Sequence, residues 1–220
     1  MKLTILGSGA STPKINNYTT SQILKIKNNY FLIDCGEGIQ MQLRKLKINF
    51  SKISCIFISH LHGDHYFGLI GLISTFRLLG RVSDLNIYAP KGLQELINLH
   101  LKLSQSWLNY RIIFHALTSK SQKIIIDNSD FSVKTIPLNH RIYTNGFLFE
   151  EKFNERNIKK SKIKEYNFKI EDLKKLKKGQ DVYLDEERKL HANQYIMLVS
   201  SANEKKTALA RYVNPTTPLK

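Results

Sequence analysis

The segment that decides the fold is Ser59-His60-Leu61-His62-Gly63-Asp64-His65. It ends an apolar run at 53–59, which is typical of a buried central strand, and helical spacing follows it. His60 and His62 can point at one metal ion, and Asp64 and His65 on the following turn can reach a second. Imidazole nitrogen and carboxylate oxygen suit zinc, and manganese or iron are also possible. Chance placement explains a lone histidine, but not four liganding residues in this register.

Apolar periodicity on both sides of this segment predicts alternating strands and helices. The predicted strands lie at 2–6, 22–27, 29–34, 53–59, 85–89, 111–115, 123–126, 131–136 and 146–150. The predicted helices lie at 39–48, 68–79 and 91–103. The alternation predicts the α/β class or a layered mix of helices and sheets. A chain of 220 residues is long enough for one domain with a core of its own.

The overall charge allows two interpretations. The formal net charge is +16 and the isoelectric point is near 9.8, values that attract polyanions such as nucleic acid. The chain is also rich in Lys, Ile and Asn together, as expected from an A+T-rich genome, and lysines then accumulate on solvated faces without a partner. Charge alone leaves both interpretations open.

The composition also bears on the cellular compartment. No window approaches the roughly 18 consecutive apolar residues of a membrane span, so no membrane partner is expected. The start, MKLTILGSGAST, lacks the pattern of a signal peptide and reads as a strand running into a glycine loop. Cys35 and Cys55 fit a reducing compartment as free thiols. We therefore expect a cytoplasmic protein.

The composition changes after Glu151. Residues 159–178 contain nine lysines against three acidic residues, and too few apolar residues for a second domain. The stretch IEDLKKLKK at 170–178 has a partly helical pattern. We interpret 151–189 as an excursion inserted into the single domain.

Five segments resemble, in the same order, the ribonuclease Z family of the metallo-β-lactamase superfamily. The HxHxDH register at 60–65 is the signature of that superfamily. The family segments are LGSGASTP at 6–13, DCGEGIQ at 34–40, FISHLHGDHYFGLIGLISTFRLLGR at 57–81, LNIYAPKGLQELI at 85–97 and LNHRIYTNGF at 138–147. The resemblance covers residues 1–150 nearly continuously, and it implies a four-layer αββα sandwich with metals at one sheet edge.

The resemblance also implies roles for single residues. His60, His62 and His140 would hold a first zinc ion, and Asp64 and His65 a second. Asp64 would also orient the attacking water and take its proton, while Asp34 would fix the geometry of the metal loop. A simple turn carboxylate at position 34 and a surface loop histidine at position 140 remain the alternatives. His100, His115 and His191 match nothing in the family and are interpreted as structural or solvated.

The implied function is zinc-dependent removal of the 3′ trailer of precursor tRNA, which leaves a 3′-hydroxyl on the tRNA. The Lys-rich excursion would be the arm that grips the tRNA elbow, and the family suggests a homodimer. The arm lysines assigned to the substrate are Lys159, Lys160, Lys174, Lys175, Lys177 and Lys178. The alternatives are a solvated loop in place of an arm, another hydrolase or phosphodiesterase of the superfamily, or an inactive tRNA-binding fragment.

The sequence departs from the family pattern at three places. The arginine usually found near Ile15 or Asn16 is absent, so a contact to the RNA end is either missing or supplied by Lys14. The Gly-Pro run of the arm is replaced by KEYNFKIED at 164–172. Family members continue to a bridging aspartate and two further histidines, whereas this sequence ends at Lys220. We therefore expect most of a first metal site and half of a second.

Overall fold

A six-stranded sheet carries the histidine motif. The computed structural model describes residues 1–152, 158, 163, 166, 168–177, 180–183, 189–190 and 207–210. The strands of this sheet are β1 (Lys2–Gly7), β2 (Ser21–Ile26), β3 (Asn29–Ile33), β4 (Ile53–Phe57), β5 (Leu85–Pro90) and β6 (Ile112–Leu117), and they lie side by side in chain order. β2 and β3 form an antiparallel hairpin in which Ile26 pairs with Asn29 across a turn of Lys27 and Asn28.

Strand direction places the functional residues at one edge of this sheet. β3, β4, β5 and β6 run parallel, and Ile33 at the end of β3 pairs with Phe57 at the end of β4. Because parallel strands end at the same edge, Asp34 and the histidine motif begin next to each other. The strand predicted at 53–59 stops at Phe57, because the Ser59 amide donates to the Asp34 carboxylate, at 2.8 Å.

Helices cover one face of this sheet, and a second sheet packs on the other. The helices are α1 (Ile39–Lys45), the short α2 (Gly63–Tyr66), α3 (Gly68–Leu78) and α4 (Leu93–Leu103). Ile56 joins the core formed with α1, α3 and α4, whereas the next residue, Phe57, contacts Phe147 and Phe149, with ring centroids 5.2 Å apart in both pairs. Burial on both faces explains the continuous apolar run of β4.

Among the described residues, no helix combines the length and the apolar character that crossing a bilayer requires.

The second sheet contains β7 (Lys123–Asp127), β8 (Phe131–Pro137), β9 (Asn145–Glu151) and β12 (Thr207–Ala210), in the order β12-β9-β8-β7. Together with the helices and the first sheet it supplies three of the four layers of the predicted αββα sandwich, and the layered α/β class is confirmed. The helix predicted at 39–48 ends earlier, at Lys45, because Lys47 adopts a left-handed φ of 53° and Ile48 N bonds back to Leu43 O, at 2.9 Å.

The chain divides into two compact units. The first contains residues 1–126, 133–149 and 208–220, and the second contains 127–132 and 150–207. The second unit contains α5 (Ile170–Lys177) and the antiparallel pair β10 (Val182–Tyr183) and β11 (Lys189–Leu190). It has a small core of Phe168, Leu176 and Val182.

The arm lysines lie partly within the described residues. Lys174 and Lys175 are exposed on α5, and Lys177 is half-buried. Lys159, Lys160 and Lys178 lie outside the described residues. The arm at 151–189 and its contact with tRNA remain predictions.

Two glycines of α3 differ in what surrounds them. A β-carbon at Gly68 would overlap the backbone carbonyl oxygen of Gly36, in the loop beneath the histidine motif. A β-carbon at Gly71 would meet only the end of the Gln40 side chain, which can rotate away. The two positions therefore form a matched pair within one helix.

We expect Gly68→Ala to lower the free energy of unfolding by about 1–3 kcal/mol, because backbone has to shift to admit the methyl group. Gly71→Ala is expected to be neutral or to raise it by up to about 1 kcal/mol, because alanine favours a helix. Urea unfolding of both variants measures the difference. Equal effects of the two substitutions would contradict the close packing of α3 on the Gly36 loop.

Candidate metal centre

Three imidazole nitrogens converge at the carboxyl edge of the first sheet. His62 Nδ1 lies 3.0 Å from His60 Nε2 and 3.3 Å from His140 Nε2. All three donor atoms lie within 4.8 Å of one another. Zinc–nitrogen bonds of about 2.0–2.1 Å in a tetrahedral site place two nitrogens roughly 3.3–3.4 Å apart. The donor set therefore fits a single divalent metal ion.

Two backbone hydrogen bonds and one from a side chain hold the loop of His140, which lies 78 residues after His62 in the sequence. Its loop joins β8 to β9 and is closed by Leu138 N donating to Thr144 O, at 3.0 Å. Asn145 N donates to Ser59 O, at 3.0 Å, and the Tyr143 hydroxyl donates to Ser119 O, at 2.9 Å. Position 140 is thus held against the motif and is not a free surface loop.

The buried Asp34 carboxylate accepts hydrogen bonds from two residues of the motif, Ser59 and His65. Its Oδ1 accepts from the Ser59 amide at 2.8 Å, and its Oδ2 accepts from the Ser59 hydroxyl at 3.0 Å and from His65 Nδ1 at 2.7 Å. Asp34 is buried and adopts a left-handed φ of 55°, which aspartate tolerates better than most residues. The buried carboxylate is thus matched by three donors.

These bonds select which nitrogen of each ring is available to a metal. His65 donates its Nδ1 proton to Asp34, so its Nε2 carries the lone pair. The Ser59 hydroxyl donates its proton to Asp34. Its oxygen is therefore the acceptor for His60 Nδ1, at 3.0 Å. That bond leaves the lone pair of His60 on Nε2, the atom that faces the other two histidines.

The electrostatics keep the two motif histidines of the triad neutral, the form that binds metals. Burial lowers the pKa of His60 to about 3, and the neighbouring His65, His62 and His140 add to the effect. Burial, with His140 and Arg141, also lowers the pKa of His62. Burial alone would lower the pKa of His65, but the hydrogen bond and the negative charge of Asp34 outweigh it, so that this pKa is raised.

Asp64 and His65 form a second group of donors. His65 Nε2 lies 3.5 Å from Asp64 Oδ2, a separation that suits two ligands of one ion. Asp64 Oδ2 also accepts from the backbone amide of Ser11, at 2.9 Å, in the glycine loop after β1. In the described part of the chain, only His60, His62 and His140 form a cluster of three or more possible ligands. The second metal site and the assigned roles remain predictions.

Sequence reasoning missed Ser59, Ser11 and Arg141. Ser59 could have been found, because metal-binding histidines usually donate their second nitrogen to a fixed partner and the adjacent hydroxyl was the nearest candidate. Ser11 contributes only its backbone and left no signal in the side-chain pattern. Arg141 follows His140 directly, and its Nη2 lies 3.3 Å from His62 Nε2.

The remaining histidines lie away from this cluster. His115 stacks on Tyr88, with ring centroids 4.2 Å apart, and its Nε2 lies 2.9 Å from Asn86 Oδ1, which fits a structural role. His100 is exposed on α4. His191 lies outside the described residues.

We expect Ser59→Ala to weaken zinc affinity about 10–100-fold, because it removes the partner that fixes the His60 ring and one donor to Asp34. Ser59→Thr retains the hydroxyl and is expected to stay close to the wild-type affinity. Competition with a chromogenic chelator measures both constants, and thermal unfolding of the metal-free proteins separates folding effects. A wild-type zinc affinity in Ser59→Ala would show that the Ser59 hydroxyl is not needed to hold the His60 ring for metal binding.

Comparison with known proteins places this geometry in a family. A family model described as Anti-Pycsar protein Apyc1 matches residues 1–215. Ribonuclease Z of Bacteroides fragilis is 44% identical over 192 residues, which cover 87% of this chain and 63% of that relative. The chain thus spans about three fifths of the length of this curated relative.

Solved structures agree with this placement. Human tRNase Z, short form, superposes with a TM-score of 0.64 at 34% identity, over 69% of this chain and 65% of that one. A metallo-β-lactamase-fold protein from Bacillus subtilis superposes with a TM-score of 0.53 at 17% identity, over 67% of this chain and 57% of that one, which supports the fold alone. The resemblance to ribonuclease Z predicted from the sequence is confirmed. With a match over residues 1–215, the chain belongs to the family described as Anti-Pycsar protein Apyc1, and it has ribonuclease Z proteins as relatives.

Proposed function

We propose that this protein is a zinc-dependent endoribonuclease that removes the 3′ trailer of precursor tRNA and leaves a 3′-hydroxyl on the tRNA. The observation that carries the proposal is the convergence of His60, His62 and His140 on one point, in a chain 44% identical to a ribonuclease Z. The triad consists of three imidazoles, and imidazole nitrogen favours zinc over the hard cations that prefer oxygen ligands.

Asp64 is the residue proposed to activate water. A metal bound at this centre supplies a lowered pKa for water and offsets charge on the phosphate. The Ser11 amide and the nearby His65 ring fix Asp64 Oδ2, which orients the second carboxylate oxygen. In the proposed step Asp64 takes a proton from water, whose oxygen bonds to phosphorus. The bond from phosphorus to the tRNA 3′ oxygen breaks, this oxygen is protonated by solvent, and the trailer keeps a 5′-phosphate.

The arm is proposed to bind tRNA through its phosphates. On α5, Leu176 faces the small core of the second unit, while Lys174 and Lys175 are exposed. An exposed cationic face of this kind binds phosphates without reading bases. The net charge of +16 is consistent with such a substrate. The homodimer suggested by the family and a cytoplasmic location are part of the same proposal.

A second candidate is a metallo-β-lactamase-fold phosphodiesterase that acts on another substrate. The observation in its favour is the description of the matching family model, which names Anti-Pycsar protein Apyc1 and not a ribonuclease Z. Incubation with precursor tRNA and, separately, with bis(p-nitrophenyl) phosphate distinguishes the two candidates. A protein that hydrolyses only the small diester would support the second.

Asp64→Ala is expected to reduce cleavage of precursor tRNA at least about 100-fold, the usual contribution of a positioned general base. Affinity for tRNA should remain near the wild-type value, since binding is assigned to the arm. His100→Ala, at an exposed position on α4, is the control and should retain full activity. Gel assays of cleavage and filter binding give the two quantities. An Asp64→Ala protein that keeps a tenth of the activity would show that another group accepts the proton.

Replacing Lys174 and Lys175 by Gln is expected to weaken tRNA binding and to flatten its salt dependence. Each lost phosphate contact lowers the slope of log affinity against log salt by about 0.9 on duplex. The matched control replaces Lys52 and Lys102 by Gln, two exposed lysines outside the arm. The control removes the same charge, so an equal change in slope would mean that α5 contributes only to the overall charge. Fluorescence anisotropy across a salt series measures the slope.

A further inference from the structure

Arg141 lies at the candidate metal centre, and no role has been assigned to it so far. Its side chain is exposed, and its Nη2 lies 3.3 Å from His62 Nε2, the ring nitrogen that faces away from the triad. The loop that carries it is anchored by the bonds of Tyr143 and Asn145. No carboxylate among the described residues forms an ion pair with it. The guanidinium is therefore held at the rim of the site.

The contacts around Arg141 form a continuous series that leads from the guanidinium to Asp34. Arg141 Nη2 lies 3.3 Å from His62 Nε2, and His62 Nδ1 lies 3.0 Å from His60 Nε2. His60 in turn donates from Nδ1 to the Ser59 hydroxyl, which donates to Asp34.

A metal on the triad would be held by the lone pair of His62 Nδ1. The ring proton of a neutral His62 would then lie on Nε2, the nitrogen beside Arg141. An Nε2–H group cannot accept from the guanidinium, and the nearby cation repels it. The donors of Arg141 are then available to an anion beside the metal. A phosphodiester fits, because its two nonbridging oxygens match the planar fork of a guanidinium.

We propose that Arg141 binds a nonbridging oxygen of the phosphodiester that is cut. The inference rests on the proposed function, since it concerns the same site. It assigns a substrate-binding role to the residue next to His140. In this arrangement Arg141 binds the phosphate at the reaction centre, whereas the arm lysines bind phosphates elsewhere on the RNA.

Binding of inorganic phosphate to the zinc-loaded protein tests the inference, with isothermal titration calorimetry as the readout. Arg141→Gln is expected to raise the dissociation constant for phosphate about tenfold or more, the range for a hydrogen bond between charged groups. Arg141→Lys keeps the charge but not the fork, and an intermediate value is expected. The control is Arg111→Gln, which removes the same charge from an exposed ion pair with Asp84, just before β6.

Two results would overturn the inference. One is a phosphate dissociation constant in Arg141→Gln equal to that in Arg111→Gln. The other is a parallel loss of zinc affinity in Arg141→Gln, measured by chelator competition, because the guanidinium would then act by supporting His62. Failure of the proposed function gives a different result: the wild-type protein would leave precursor tRNA uncut, while the difference between the two arginine variants in phosphate affinity would persist.

Discussion

The hydrogen bonds of the Asp34 carboxylate are the constraint on which the rest of the site depends. Burying a carboxylate costs several kcal/mol. Hydrogen bonds to a charged group contribute roughly 1.5–3 kcal/mol each, and Asp34 accepts three, from Ser59 N, Ser59 Oγ and His65 Nδ1. The cost of burial and the sum of the three hydrogen bonds are of the same order. Each donor is therefore needed to stabilise the buried carboxylate. The same bonds end β4, turn the chain into the motif and set the proton positions on two histidine rings.

The sheet makes this arrangement possible before any side chain is considered. β3 and β4 are parallel neighbours paired at Ile33 and Phe57, so the residues that follow them must meet. Asp34 is the residue after one strand, and Ser59 lies two residues after the other. The close approach of Gly68 to Gly36 then packs α3 directly against the loop beneath the histidine motif. Local order at the centre therefore comes from strand register and from glycine packing, and the histidines are placed on a rigid edge.

Much of this was predictable from the sequence, for identifiable reasons. The elements of the first 150 residues could be placed because their apolar patterns are strong, and His140 could be grouped with His60 and His62 through its family context. The limits were of two kinds. The end of α1 depends on the left-handed conformation of Lys47. A lysine does not predict that conformation, whereas a glycine at this position would have done so. Ser11 acts through its amide and Arg141 through its distance from His62, and both depend on tertiary structure that the residue pattern does not encode.

The lowered pKa values of two histidines favour the binding of a cation at this centre. A metal ligand must be unprotonated on the binding nitrogen, and a histidine that is charged beforehand has to lose a proton first. The lowered pKa values of His60 and His62 remove that step at both positions. At both positions the neutral ring is therefore favoured before a metal binds. The hydrogen bonds that run from Asp34 through Ser59 also hold the His60 ring in one orientation.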